Sequence, residues 1–210
     1  MISAKDNSYW NNFYSTNKLI NKPSSFAIEI VKFLDKNSSL LELGCGNGRD
    51  SFFFAKHDIN VIALDLSKKA IENNNTLNDN ENLNFLIRDF TNLEPNEFDK
   101  LGNIYSRFTL HSIDKPDYLR TIDWVGDNLK EGGLFFIEAR TINDPLFGIG
   151  EKVANDGYIN THYRRFFRIK EVMTDLESRG LKLVHVSENF LDSWYKDDHA
   201  VVMRIICEKR

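Results

Sequence analysis

Residues 40–48 read LLELGCGNG: an apolar run followed by glycine at every second position, Gly44, Gly46 and Gly48. Such a run has the length and composition of a buried strand. Glycines let the chain beyond it turn sharply and approach a ligand where a side chain would block the way. A helix then runs from Phe52 to Lys56, its amide groups pointed back at the loop. Strand, tight glycine turn and helix make the opening unit of a parallel sheet.

The rest of the chain keeps the alternation. Ser39 to Leu43, Val61 to Leu64, Leu83 to Ile87, Asn103 to Leu110 and Leu134 to Ala139 read as strands. Pro23 precedes a helix over 24–35 with Phe26, Ala27, Ile30, Val31 and Leu34 on one face. Ser67 caps a helix through Ile71, and Pro116 opens one whose Leu119, Ile122, Val125 and Leu129 share a face. Ile169, Val172, Met173 and Leu176 mark the last helix, closed by Gly180. Leu181 to Phe190 and Ala200 to Cys207, joined by a short polar loop, pair as a hairpin. The expected architecture is one α/β domain over 1–210, a mostly parallel seven-stranded sheet with helices on both faces and an antiparallel strand from that hairpin. Residues 1–22 carry Tyr9, Trp10, Phe13 and Tyr14 on one face of a helix that either packs on the sheet or closes as a lid over the ligand. Residues 141–167 are irregular and form a loop on the substrate side.

Composition removes several classes of function. A chain of 210 residues, 41% hydrophobic and 28% charged, builds one sizeable core. A net charge of −4 argues against a nucleic-acid binder. The first ten residues lack a signal peptide's pattern, and apolar stretches such as Leu134 to Ile137 are strand-sized, so a cytoplasmic location away from membranes is expected. Cys45 and Cys207 make neither a disulfide framework nor a metal site, and Cys45 reads as a small loop residue.

In a sheet of this kind ligands bind beyond the carboxyl ends of the strands. Three of those ends carry the residues a nucleoside needs. Glu42 ends the first strand. Seventeen residues after Gly48, VIALD ends in Asp65, with Leu66 next, a carboxylate able to accept from both ribose hydroxyls. LIRDF ends in Asp89 and Phe90, suited to an adenine amine and an adenine face. Over roughly residues 23–140 this set resembles the cofactor motifs of class I (Rossmann-like) S-adenosylmethionine-dependent methyltransferases, whose fold is the three-layer one expected above. The resemblance implies a glycine loop under the methionine and ribose, Glu42 near the amino-acid end, Asp65 on the ribose, and Asp89 and Phe90 on the adenine; Tyr14 and Leu66 are further candidates for contact with the cofactor. A dinucleotide fingerprint needs its third glycine at position 49, which is Arg49. Arg49 and Asp50 follow the loop as in some small-molecule methyltransferases related to tellurite-resistance enzymes, where they either meet the methionine carboxylate or cap the helix.

For the acceptor, the segment SRFTLH after strand four lacks the Asn/Asp-Pro-Pro-aromatic tetrad of amino-base methyltransferases. Neither cysteine follows a proline, and no acidic cluster offers a catechol-type metal site. Arg107, His111, Glu138 and Arg140 stand at strands four and five instead. Tyr158 and the run THYRRFFR add His162, Tyr163, Arg164, Arg165 and Arg168. This collection in an acidic chain points to a small anionic acceptor, since arginine's planar fork grips phosphate or carboxylate. His111, as base or orienting group, and Arg107 are the catalytic candidates. Arginines alternating on strands and in the triple run leave at least one of them facing solvent. The pairing of SRFTLHSI with EAR and HYRRFF also resembles methyltransferases of bacterial capsule and surface-polysaccharide pathways, some serving O-methyl phosphoramidate modification. That implies an oxygen acceptor on a phosphorylated or nucleotide-linked molecule. Methylation of an amine, with Glu138 positioning the nucleophile, and a non-catalytic cofactor-binding partner protein stay open.

Overall fold

The computed structural model describes residues 2–16, 22–36, 38–98, 101–192 and 199–210, with side chains in all of these except 2–7 and 191–192. They pack as two compact units, Met1–Tyr105 and Ser106–Arg210.

The first unit opens with α1 (Ile2–Thr16) and α2 (Ser25–Ile30), the latter continuing as a 3-10 turn over Val31–Phe33. The expected alternation follows: β1 (Ser39–Leu43), α3 (Arg49–Ala55), β2 (Asn60–Asp65), α4 (Lys68–Leu77), β3 (Leu83–Ile87) and β4 (Leu101–Arg107). The strand order is β3-β2-β1-β4, and β1 pairs parallel with β2, and β2 with β3. Leu40, Leu41, Leu43, Ala63 and Leu64 are all buried, the continuous apolar run that strands covered on both faces require. Ser24 and Ser67 cap α2 and α4, each side-chain oxygen accepting from the backbone N–H three residues on.

One buried carboxylate ties distant parts of this unit together. Asp50 Oδ1 accepts from Ser24 N at 2.7 Å, while Oδ2 accepts from Ser24 Oγ at 2.8 Å and from Tyr105 Oη at 2.9 Å. Asp50 therefore serves the start of α2 and the middle of β4 at once.

The second unit contains a 3-10 turn (Leu110–Ser112), α5 (Lys115–Asn128), β5 (Leu129–Arg140), three short strands β6 (Glu151–Lys152), β7 (Gly157–Ile159) and β8 (Tyr163–Arg165), then α6 (Ile169–Glu177), β9 (Leu181–Asp192) and β10 (His199–Lys209). Asp114 caps α5, and Pro116 sits in its first turn, where a missing N–H costs nothing. The order is β5-β10-β9, with β10 antiparallel to both neighbours, so the closing hairpin is present. Altogether seven strands form a mostly parallel sheet with antiparallel C-terminal pairing.

Three details depart from the sequence reading. Strand four stops at Arg107, because Phe108 takes φ 57° and turns the chain out of the sheet. Strand five starts at Leu129, absorbing Gly132 and Gly133 that read as a turn. Residues 141–167 are not wholly irregular: β6, β7 and β8 form a small antiparallel sheet with Tyr158 opposite Arg164. Gly157 is required there, since a Cβ would stand 2.7 Å from the Tyr163 hydroxyl. No described helix is long and apolar enough to cross a membrane.

Asp50→Ala leaves Ser24 N, Ser24 Oγ and the Tyr105 hydroxyl short of an acceptor. It is expected to cost about 2–4 kcal/mol, the scale of lost hydrogen bonds to a buried charge. Urea unfolding checks this, and an unshifted midpoint removes Asp50 from its keystone role.

Candidate functional site

The loop after β1 is held from both sides. Gly44, Gly46 and Gly48 have φ of 73°, 53° and 71°, the left-handed region that favours glycine. Gly46 N donates to Asp65 Oδ2 at 2.8 Å, and Gly46 O accepts from Asn74 Nδ2 at 2.9 Å. Ser67 N donates to Asp65 Oδ1 at 2.7 Å. Burial raises the Asp65 carboxyl, and those two N–H groups pull it part of the way back. Two carboxylate oxygens accept about four hydrogen bonds, so Asp65 keeps capacity for a ribose. At Gly48 a Cβ would lie 2.9 Å from the Phe85 ring and 3.0 Å from Asn74 Nδ2, so sterics exclude a side chain as well.

Asn74 is the residue the sequence reading missed on this side. It is fully buried, and its Oδ1 has no hydrogen bond. Its signal is masked by the run Asn73, Asn74, Asn75, in which helical periodicity alone buries the middle one.

Helix α1 docks beside this loop. Asn11 Oδ1 accepts from Ser67 Oγ at 2.9 Å and from Lys69 N at 3.3 Å, and Asn73 Nδ2 donates to Tyr14 O at 3.3 Å. The Tyr14 hydroxyl stands 2.3 Å from where a Gly46 Cβ would be. Burial, then the charge of Asp65, push its pKa well above the usual tyrosine value, so it stays a neutral donor. Tyr9, Trp10, Phe13 and Tyr14 pack on one another with ring centres 5.1–6.3 Å apart.

Glu42 is buried and accepts from Ser51 Oγ. Arg49 is half-buried, its Nε 3.8 Å from Asp50. Asp89 Oδ1 accepts from Thr91 N and Thr91 Oγ1, a turn that sets half-buried Phe90. Leu66 is exposed beside Asp65. The Cys45 thiol is buried and pushed well up, first by burial and then by Asp65, which keeps it protonated. Glu42, Asp65 and Asp89 thus stand at the carboxyl ends of β1 and β2 and just beyond β3, with the glycine-rich loop after β1 beside Asp65.

In the second unit the polar residues cluster around His111. Glu138 is buried, with Arg107 Nε 2.9 Å from Oε1 and Arg204 Nε 2.7 Å from Oε2. Arg140 Nη1 lies 2.7 Å from Asp144 Oδ2, which also accepts from Val201 N. Arg140 N approaches His111 Nδ1 at 3.5 Å. With Nδ1 facing a donor, neutral His111 carries its proton on Nε2. Burial first, then Arg140, Arg164, His162 and Arg107, hold His111 well below the usual histidine pKa. His162 is pushed down to about 3 by burial, Arg164 and Arg140. Among the described residues no group of His, Cys, Asp and Glu is placed to hold a metal ion.

Strand alternation divides the triple run. Arg164 is half-buried and lines a shallow cleft with Tyr158, Asn160, Leu146, Ile149 and Phe166. Its neighbours Tyr163 and Arg165 turn inward. Arg165 pairs with Asp156 at 2.8 Å, and its guanidinium lies 4.7 Å from the Tyr118 ring centre and 4.6 Å from that of Phe167. Both are committed to the framework, and Arg168 is exposed. Arg204 was missed, although an arginine inside the apolar run VVMRII is the kind of signal that marks a buried pair.

A family profile described as a methyltransferase domain matches residues 17–186. The chain is 27% identical over 158 residues to malonyl-(acyl-carrier protein) O-methyltransferase 1 of Ilyobacter polytropus, covering 74% of this chain and 57% of that protein. It is 28% identical over 166 residues to phosphoethanolamine N-methyltransferase 1 of Triticum aestivum, covering 75% and 32%. It thus spans little more than half of the first and a third of the second. A solved S-adenosylmethionine-dependent methyltransferase from Methanosarcina mazei shares the fold, with TM-score 0.75 and 18% identity over 86% of this chain and 96% of that one.

Two outcomes test this geometry. Asn74→Ala removes the donor to Gly46 O and is expected to raise the dissociation constant for S-adenosylmethionine about tenfold, one hydrogen bond's worth. Unchanged calorimetric affinity would detach Asn74 from the loop's function. The second concerns acid. Below about pH 6.5 the unfolded chain protonates at both histidines while the fold keeps them neutral, so stability falls with pH at about 1.4 kcal/mol per unit for each. For His162 the loss runs on toward pH 3. Between pH 7 and 5 the double variant His111→Gln, His162→Gln should show a flatter stability curve; parallel curves would mean that the histidines are not buried neutral.

Proposed function

The chain belongs to the methyltransferase domain family, as an S-adenosylmethionine-dependent domain of the class I fold. From that premise we propose that it methylates an oxygen of a small anionic metabolite, phosphorylated or nucleotide-linked. The observation that carries this is the group of Arg107, Arg140 and Arg164 around a neutral His111.

When bound, the cofactor supplies a methyl group on a sulfonium, open to in-line displacement. Asp65 takes the ribose, Asp89 and Phe90 the adenine, and Glu42 with Arg49 the amino-acid end, while the glycine loop and Leu66 line the way and Tyr14 covers it. The remaining task is aim, because fixing the acceptor oxygen behind the methyl carbon supplies much of the rate. The arginines grip the anion, and Tyr158 and His162 complete its surroundings. A phosphate-type oxygen is already ionised at neutral pH and needs no base. His111 suits that chemistry, since its Nε2–H donates to an anion rather than taking a proton.

The segments SRFTLHSI, EAR and HYRRFF favour an acceptor in capsule phosphoramidate modification, a cytoplasmic small-molecule step involving neither nucleic acid nor membrane. The second reading is N-methylation of an amine bearing a phosphate or carboxylate, supported by the phosphoethanolamine-methylating relative. Glu138 would orient the amine, but it is already gripped by Arg107 and Arg204. A non-catalytic partner role has no need of so complete a cofactor loop.

Calorimetric titration should give binding of S-adenosylmethionine and none of NADH. Screening phosphorylated metabolites for methyl incorporation then identifies the acceptor. In single turnover at saturating cofactor, Arg140→Met is expected to lose about 10²-fold through misplacement, and His111→Gln to retain most activity. Cofactor affinity of Arg140→Met serves as the fold control, because buried Asp144 loses its ion-pair partner and keeps only backbone donors. The reverse order would identify a hydroxyl acceptor with His111 as base, whose loss typically costs about 10²–10⁴-fold.

A further inference from the structure

Phe108 stands where β4 leaves the sheet, and its φ of 57° is left-handed. The other described non-glycine residues with positive φ are Asp58 and Asn96, types that enter this region with comparative ease. A bulky aromatic residue does not, and such strain persists only where its surroundings enforce it. Here Phe108 N donates to Glu138 O at 2.9 Å, Ser112 N donates to Thr109 O at 2.8 Å, and the hydroxyls of Ser106 and Thr109 meet at 2.6 Å. Glycine would make the same turn without strain but would bring no ring.

The ring is half-buried, and what it meets is charge. The Arg107 guanidinium carbon lies 4.4 Å from the ring centre and that of Arg140 lies 5.4 Å away, with the His111 ring centre at 5.2 Å and its plane inclined by 62°. An aromatic face attracts guanidinium groups through its quadrupole. Two like charges can therefore share one neighbourhood, each also held by a carboxylate, Glu138 for Arg107 and Asp144 for Arg140.

We propose that Phe108 is a positioning residue for the acceptor: its ring, fixed by the left-handed turn, holds the Arg107 and Arg140 guanidinium groups in the orientation that grips the acceptor's anionic group. This rests on the anionic-acceptor reading above and extends it to a residue outside the charged set. The strained backbone is the cost of presenting a ring, rather than a bare turn, between two arginines.

The test uses inorganic phosphate as the probe, titrated into protein saturated with S-adenosylhomocysteine and followed by phosphorus NMR line width. Phosphate should bind the wild-type chain, weaken about tenfold in Phe108→Leu, as expected for two cation–π contacts, and recover in Phe108→Tyr. Phe108→Gly should weaken phosphate equally while melting at or above the wild-type temperature, because strain is relieved. Affinity for S-adenosylhomocysteine should be the same in all variants. Equal phosphate binding by wild type and Phe108→Leu would overturn the proposal, as would failure of Phe108→Tyr to recover it. A joint loss of stability and cofactor affinity in Phe108→Gly and Phe108→Leu would reassign Phe108 to packing alone. Failure of the wild-type chain to bind phosphate would overturn the anionic-acceptor reading itself, and this inference with it.

Discussion

Asp65 accepts backbone N–H groups from Gly46 and Ser67, one on each carboxylate oxygen. It thereby joins the loop after β1 to the start of α4, and Asn74 reaches back from α4 to hold the carbonyl of the same glycine. The conformation of the glycine loop follows from this clasp. Three left-handed residues in five would wander in isolation, for glycine gives up more conformational freedom on ordering than any other residue. Two directed hydrogen bonds on Gly46 and the packed ring of Phe85 at Gly48 select one arrangement, and Tyr14 of α1 settles over it. Everything proposed for the cofactor depends on that arrangement existing before the ligand arrives.

The second unit solves a different problem, keeping several guanidinium groups in a poorly solvated place. Buried charges are costly unless paired. Glu138 serves Arg107 and Arg204, Asp144 serves Arg140, and Asp156 serves Arg165. Arg140 and Arg164 act on both nearby histidines, which stay neutral. The depressed histidines are a consequence of the same field, with burial the larger cause.

Much of this was legible in the chain. Alternating strands and helices, the cap at Ser67, the helix start at Pro116 and the closing hairpin follow from local periodicity and stereochemistry, which depend on neighbours in sequence. The same holds for Gly44, Gly46, Gly48, Asp65 and Asp89, because each lies at a strand end. Arg164 and Arg165 were indistinguishable until β8 formed and the two-residue period sent one to the cleft and the other between Tyr118 and Phe167. The strands β6, β7 and β8 were invisible because two or three residues carry no periodic signal.

The sequence by itself determined the fold class, the glycine-rich turn after β1 and the gathering of arginines at β4, β5 and β8, since these are written in local patterns and their order along the chain. Tertiary structure decided which charges are spent and which remain. Asp50 turned inward to Ser24 and Tyr105, Arg204 arrived from β10 to share Glu138, and Asn74 emerged from a run of three asparagines to hold Gly46. Phe108 became strained only because Glu138 and the turn at Thr109 hold it so. Each of these choices is a pairing between groups distant along the chain, and burial alone makes such pairings obligatory: in water any of these side chains would be satisfied where it stood.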